Sequence, residues 1–76
     1  MITNEQLKNK LNNKLILITG AAGGIGYETA KDLAFMGAKV IILDIAVEKG
    51  NYAKDSINNL YKSSCEFYKV DLANEE

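Results

Sequence analysis

Leu15-Ile16-Leu17-Ile18-Thr19-Gly20-Ala21-Ala22-Gly23-Gly24-Ile25-Gly26 is the stretch on which the fold turns. Its first five residues form an apolar run without polar alternation, the pattern of a parallel strand buried on both faces. A glycine-rich turn follows at once, and from Ile25 the pattern changes to a helical period. Ile25, Thr29, Ala30, Leu33 and Ala34 fall on one stripe, with Glu28, Lys31 and Asp32 on the other side. Gly37 supplies the stop, as glycine at a helix C-terminus often does.

The same alternation continues downstream. Residues 38–43, rich in Val and Ile, read as a second strand with Asp44 at its end. Val47, Gly50, Ala53, Ile57 and Leu60 mark a second amphipathic helix, which Gly50 is expected to weaken by about 1 kcal/mol. Residues 66–72 read as a third strand, and Asn74-Glu75-Glu76 as the cap and first turn of another helix. Upstream, Thr3-Asn4-Glu5-Gln6 resembles a capping box opening a short helix to about Leu11, and Asn12-Asn13 is a turn signal. The chain contains no proline and no repeat. Strand, helix, strand, helix, strand predicts an α/β fold: a Rossmann-type, doubly wound parallel sheet of which the first βαβαβ half is present. Residues 1–13 form a lead-in helix and turn, and residues 14–76 form the βαβαβ unit.

Right-handed crossovers put both connecting helices on one face of the sheet. Yet Leu15 and Leu17 oppose Ile16 and Ile18, and Ile41 and Leu43 oppose Val40 and Ile42, so both faces are apolar. The second face therefore needs a cover, and the first strand would present an unpaired apolar edge. The expectation is that residues beyond 76 supply the remaining strands and helices, the unit being cut at the start of its next helix.

Composition narrows the function. A net charge of −1 without basic clusters recommends neither nucleic acid nor an anionic membrane as partner. No apolar run approaches the roughly 20 residues of a membrane span. The polar first fourteen residues, with Lys8, Lys10 and Lys14, do not read as a secretory signal. One cysteine, Cys65, excludes an internal disulfide and suits a reducing cytoplasm; with no histidine, a transition-metal site is not expected.

A glycine-rich turn between strand and helix lets backbone N–H groups approach a phosphate, and the helix N-terminus favours its charge. Gly20 makes the tight turn, Gly23 and Gly24 let the backbone approach a pyrophosphate, and Gly26 lets the helix pack on the sheet. A triphosphatase loop would need Gly-Lys-Ser/Thr after four intervening residues, whereas Ile25-Gly26 stands there without a lysine. Asp44, roughly 20 positions past the glycines at a strand end, suits the hydroxyls of an adenosine ribose. A carboxylate there repels a 2′-phosphate, the chain has no arginine, and position 23 is glycine, all of which favours NAD over NADP. The expected cofactor contacts are Gly20, Ala22, Gly23, Gly24, Ile25, Gly26, Asp44, Ile45, Asp71 and Leu72, Asp71 and Leu72 lying by the adenine. Alone, Asp44 would read as a cap of the second helix and Asp71 as an ordinary strand-end residue.

Thr19-Gly20-Ala21-Ala22-Gly23-Gly24-Ile25-Gly26 resembles the Thr-Gly-x-x-x-Gly-x-Gly motif of the short-chain dehydrogenase/reductase family. The Asn13-Lys14 lead-in, Asp44, and Asp71-Leu72 extend the likeness over roughly residues 13–76. The glycine spacing also satisfies the family's extended branch, while Ile25-Gly26-Tyr27-Glu28-Thr29-Ala30 looks more like the shorter one. The resemblance implies hydride transfer between a nicotinamide and an alcohol or carbonyl carbon. It also implies a catalytic Tyr, Lys and Ser downstream of residue 76, none within this chain, and a full-length homo-oligomer. Tyr27 and Lys31 match the family's Tyr-x-x-x-Lys spacing by accident of helical position and read as a surface pair. Ser63 and Ser64 read as turn residues, Cys65 as a small packing residue, and Tyr61, Phe67 and Tyr68 as packing residues. The alternatives are a non-catalytic dinucleotide-binding regulatory module and, with a poorer glycine spacing, a methyltransferase.

Overall fold

The computed structural model describes residues 4–61 and 65–71. The elements run α1 (Asn4–Leu7), β1 (Leu15–Thr19), α2 (Gly24–Phe35), β2 (Lys39–Asp44), α3 (Val47–Tyr61) and β3 (Cys65–Lys69). The three strands form one parallel sheet in the order β1-β2-β3, with Leu17 beside Ile41 and Ile42 beside Phe67. This is the βαβαβ arrangement read from the alternating patterns.

Side-chain alternation puts Val40, Ile42 and Cys65 on one face, where they are buried with Ala30 and Ala34 of α2 and Ala53 and Ile57 of α3. Ile16, Ile18 and Phe67 pack against the same cluster. Both helices therefore cover a single face. On the other face Leu15 and Leu17 are each 58% exposed, so the apolar surface anticipated there is real.

The helices reach the sheet through small residues. Gly50, in the middle of α3, is buried, and a Cβ added there would run into the Phe67 ring. The glycine expected only to weaken α3 is thus the slot in which that ring sits. Asn58 then fastens α3 to β3: its Nδ2 donates to the Cys65 carbonyl at 3.0 Å, and the Cys65 N–H donates to its Oδ1 at 2.8 Å.

Several boundaries and faces differ from the sequence expectation, each for a local reason. The lead-in helix ends at Leu7, because Asn9 takes φ 65° and breaks the helical path. The following turn is held to the rest by Leu11 N–H on the Met36 carbonyl at 2.7 Å and Lys39 N–H on the Lys14 carbonyl at 2.8 Å. Ala38 lies in the turn after α2, its N–H donating back to the Leu33 carbonyl at 3.1 Å, so β2 begins one residue later than expected and includes Asp44. β3 opens at Cys65 and stops at Lys69, since Lys69 pairs with Asp44 and β2 offers nothing further beyond one bond from Val70 N–H to the Asp44 carbonyl. Ile25, placed on the buried stripe, is 87% exposed. The inner stripe of α2 runs through Gly26, Ala30 and Ala34, four residues apart, and Ile25 stands about 100° away from it. Thr29 is exposed for the same reason. Val47 and Leu60, expected to be inner residues of α3, are 42% and 58% exposed and stand near the two ends of the helix. The expected capping residue Thr3, the Ser63-Ser64 turn and the 74–76 cap lie outside the described residues.

Ile57→Ala should therefore lower unfolding free energy by about 2–5 kcal/mol, and Leu60→Ala by about 0.5 kcal/mol or less. Urea denaturation of the full-length protein reads both; equal losses would contradict this inner face of α3.

Candidate functional site

The carboxyl ends of the three strands meet along one edge of the sheet. β1 runs out into Gly20, whose N–H still donates to the Leu43 carbonyl at 3.0 Å, extending the ladder by one residue. Gly20 and Gly24 take φ of 69° and 61°, a backbone region that favours glycine, and these two points turn the chain from strand into helix. Between them Ala21 is fully buried and Ala22 nearly so, while Gly23 and Gly24 have open space where a side chain would project.

Helix α2 starts on a bare cap. Gly23 is its N-cap, with no side-chain acceptor for the first-turn amides and no acidic residue in the first turn. Those amides are left to solvent or to a ligand, and the helix dipole favours an anion there. Gly26 permits the geometry: a Cβ there would lie 2.6 Å from the Gly20 carbonyl oxygen and 2.8 Å from Ala21 Cα. The first turn of the helix thus rests directly on the backbone of the loop.

Asp44 ends β2 facing this loop. Ala46 N–H donates to its Oδ1 at 3.0 Å, and Ala22 N–H donates to its Oδ2 at 3.3 Å. The Ala46 amide is the main cause holding the carboxyl below its ordinary range; partial burial opposes it, and the Ala22 and Ile45 amides and Lys49 add to it. The group is thus an anion at neutral pH. Each of its oxygens has a further lone pair for an incoming hydroxyl. Ile45 and Val47, which follow Asp44 in the chain, are 53% and 42% exposed. Asp71 is exposed just beyond β3, next to the bond between Val70 and Asp44. Leu72 lies outside the described residues.

The expected positions from Gly20 through Gly26, Asp44 and Ile45 are thereby gathered at one end of the sheet, with Asp71 on its flank. Sequence reasoning gave no sign of Ala46, whose contribution is a main-chain amide. Lys31 Nζ is 3.3 Å from Glu28 Oε1 and 5.4 Å from the centre of the Tyr27 ring, whereas Tyr27, expected at the surface, also packs against the core cluster. Cys65 is buried, and desolvation pushes its thiol up to about 11. A cavity of about 460 Å³ lies at the opposite, amino end of β1 and β2, lined by Lys14 and Lys39 and away from the loop. Among the described residues no three His, Cys, Asp or Glu side chains converge as metal ligands, and no helix is long and apolar enough to cross a membrane.

The family model described as short chain dehydrogenase matches residues 14–76. The (+)-cis,cis-nepetalactol synthase of Nepeta racemosa is 41% identical over 71 residues, which are 92% of this chain and 25% of that protein. The cyclohexanol dehydrogenase of an Acinetobacter strain is 47% identical over 51 residues, 67% of this chain and 20% of that protein. A crystal structure of a short chain dehydrogenase from Shigella flexneri superposes with a TM-score of 0.85 at 35% identity, covering 91% of this chain and 27% of that one. The chain thus spans about a quarter of the length of the curated relatives it matches.

Gly26→Ala should cost about 1–3 kcal/mol, because the added methyl would run into the Gly20–Ala21 backbone, which cannot turn away as a side chain can. Its chemical denaturation midpoint reads this. Cys65 should react with a maleimide at pH 7.5 far more slowly than a free thiol, and at the ordinary rate once the protein is unfolded.

Proposed function

The chain belongs to the short-chain dehydrogenase family, and from that premise we propose that it is the cofactor-binding half of an oxidoreductase interconverting an alcohol and a carbonyl by hydride transfer, with NAD as the preferred cofactor. The observation that carries this reading is the pairing of the uncapped, glycine-lined start of α2 with the Asp44 carboxylate across the same crevice. The fit is chemical. Free amides at a helix start suit a pyrophosphate, and a fixed anion with spare lone pairs suits a diol.

In this reading Gly20, Gly23, Gly24, Ile25 and Gly26 hold the pyrophosphate side. Ala22 and Asp44 hold the adenosine ribose, Ile45 supports the adenine, and Asp71 and Leu72 flank it. The nicotinamide supplies the hydride chemistry when bound. This chain binds and orients it, and the proton-transferring residues belong to residues outside it. Residues 14–76 are then the first half of the nucleotide-binding domain and residues 1–13 its lead-in, with the exposed Leu15 and Leu17 face covered by the remainder. Relatives named as a cyclohexanol dehydrogenase and a 7alpha-hydroxysteroid dehydrogenase support an alcohol or ketone as the substrate class. A cytoplasmic setting and a homo-oligomeric full-length protein complete the proposal.

NADP is the competing cofactor. Similar structures from Shigella flexneri and Escherichia coli are complexed with NADP and NADPH. The Asp44 charge and the absence of arginine favour NAD in this chain. The full-length protein should bind NADH at least about tenfold tighter than NADPH in a fluorescence titration, and Asp44→Ala should weaken NADH by about tenfold or more, the worth of a charged hydrogen bond. Tighter NADPH binding, or NADH binding indifferent to Asp44, would overturn the assignment.

A further inference from the structure

Asp44 reaches across 22 residues of sequence to accept the Ala22 N–H, and at its other oxygen it takes the Ala46 N–H ahead of α3. One carboxylate therefore ties the glycine loop to the start of the next helix. The tie falls where the loop most needs it. Gly20 is anchored by its bond to the Leu43 carbonyl, and Gly26 by the backbone it rests on. Between them the chain passes Gly23 and Gly24, which have no side chains to pack and open space around them.

We propose that Asp44 is a positioning residue for the glycine loop, its carboxylate holding Ala22 so that the turn into Gly23 and Gly24 keeps the shape that receives a dinucleotide before any ribose arrives. What the loop receives rests on the function proposed above; the latch itself is a property of the ligand-free chain. Lys49 on α3 is the cation that acts on the carboxylate, and Lys69 on β3 is the register partner of Asp44 in the sheet.

The two roles of Asp44 have opposite signs toward a phosphate. As a negative charge beside the loop it repels a phosphate, so its removal should tighten anion binding. As a latch it keeps the loop amides convergent, so its removal should weaken it. A ligand with phosphates and no ribose separates the two.

Both measurements use the full-length protein free of cofactor. In residue-resolved amide exchange, Ala22 should be protected in the parent protein and exchange about tenfold faster in Asp44→Ala, while Gly20 keeps its rate. An Ala22 amide exchanging at the open-chain rate in the parent protein, or one unmoved by Asp44→Ala, overturns the proposal. If Gly20 quickens as much as Ala22, the isosteric Asp44→Asn decides: Ala22 alone faster supports the latch, and both faster overturns it. Inorganic pyrophosphate, titrated by calorimetry, should bind Asp44→Ala about threefold or more weakly than the parent protein; tighter binding overturns the latch. A parent protein that fails to bind pyrophosphate sinks the dinucleotide reading instead, and amide exchange still judges the latch.

Discussion

Backbone lying on backbone at Gly26 is the constraint from which the rest of this structure follows. With the Gly20 carbonyl oxygen 2.6 Å from where a Cβ would stand, α2 can begin only at this height above the sheet. That contact sets the axis of the helix, and Ala30 and Ala34 then meet the sheet one and two turns on, each too small to push the helix away. It also decides which amides are left over. A helix seated this low and capped by glycine leaves its first N–H groups without a side-chain partner at the carboxyl ends of the strands, the end at which ligands of open parallel sheets bind.

The larger part of this was readable from one dimension. Apolar runs without alternation gave the parallel strands, and their spacing gave the helices between them. Glycines placed between strand and helix marked the loop, and Asp44 marked the far side of the crevice. What escaped reading shares a physical cause: hydropathy patterns weigh side chains, and the decisive contacts involve little or no side chain. Gly26 leads the inner stripe of α2 yet scores as nothing in a hydrophobic period, so hydropathy starts that stripe at the exposed Ile25, although Ala30, Leu33 and Ala34 lie on it as expected. Gly50 looked like a weak point because its partner, the Phe67 ring, is seventeen positions away. Ala22 and Ala46 hold Asp44 with main-chain amides, which every residue but proline possesses. The ends of strands were equally opaque, since β3 stops where its neighbour stops and not where its own composition changes.

The two edges of the sheet are unequal, and the inequality gives the proposed completion of the domain a direction. Bonding of Val70 to Asp44 turns the even-numbered amides near it toward β2, so Cys65, Phe67 and Lys69 present theirs outward. Asn58 occupies the first of those rungs with both its oxygen and its nitrogen, imitating a strand. Two rungs remain, one of them at a lysine, which is a poor template for another strand. No comparable side-chain bond closes β1 among the described residues. The uncovered face has the same gradient. On β3 it carries Glu66 and Tyr68, joined by a hydrogen bond of 2.6 Å from the tyrosine hydroxyl, with Lys39 at 3.2 Å from the same carboxylate. On β1 it carries Leu15 and Leu17. Polar groups already satisfied by one another gain little from being covered, whereas two half-exposed leucines gain their burial energy only when something lies over them. In the completion proposed above, a covering layer and a further strand would both be best accommodated at β1, with β3 as the outer margin.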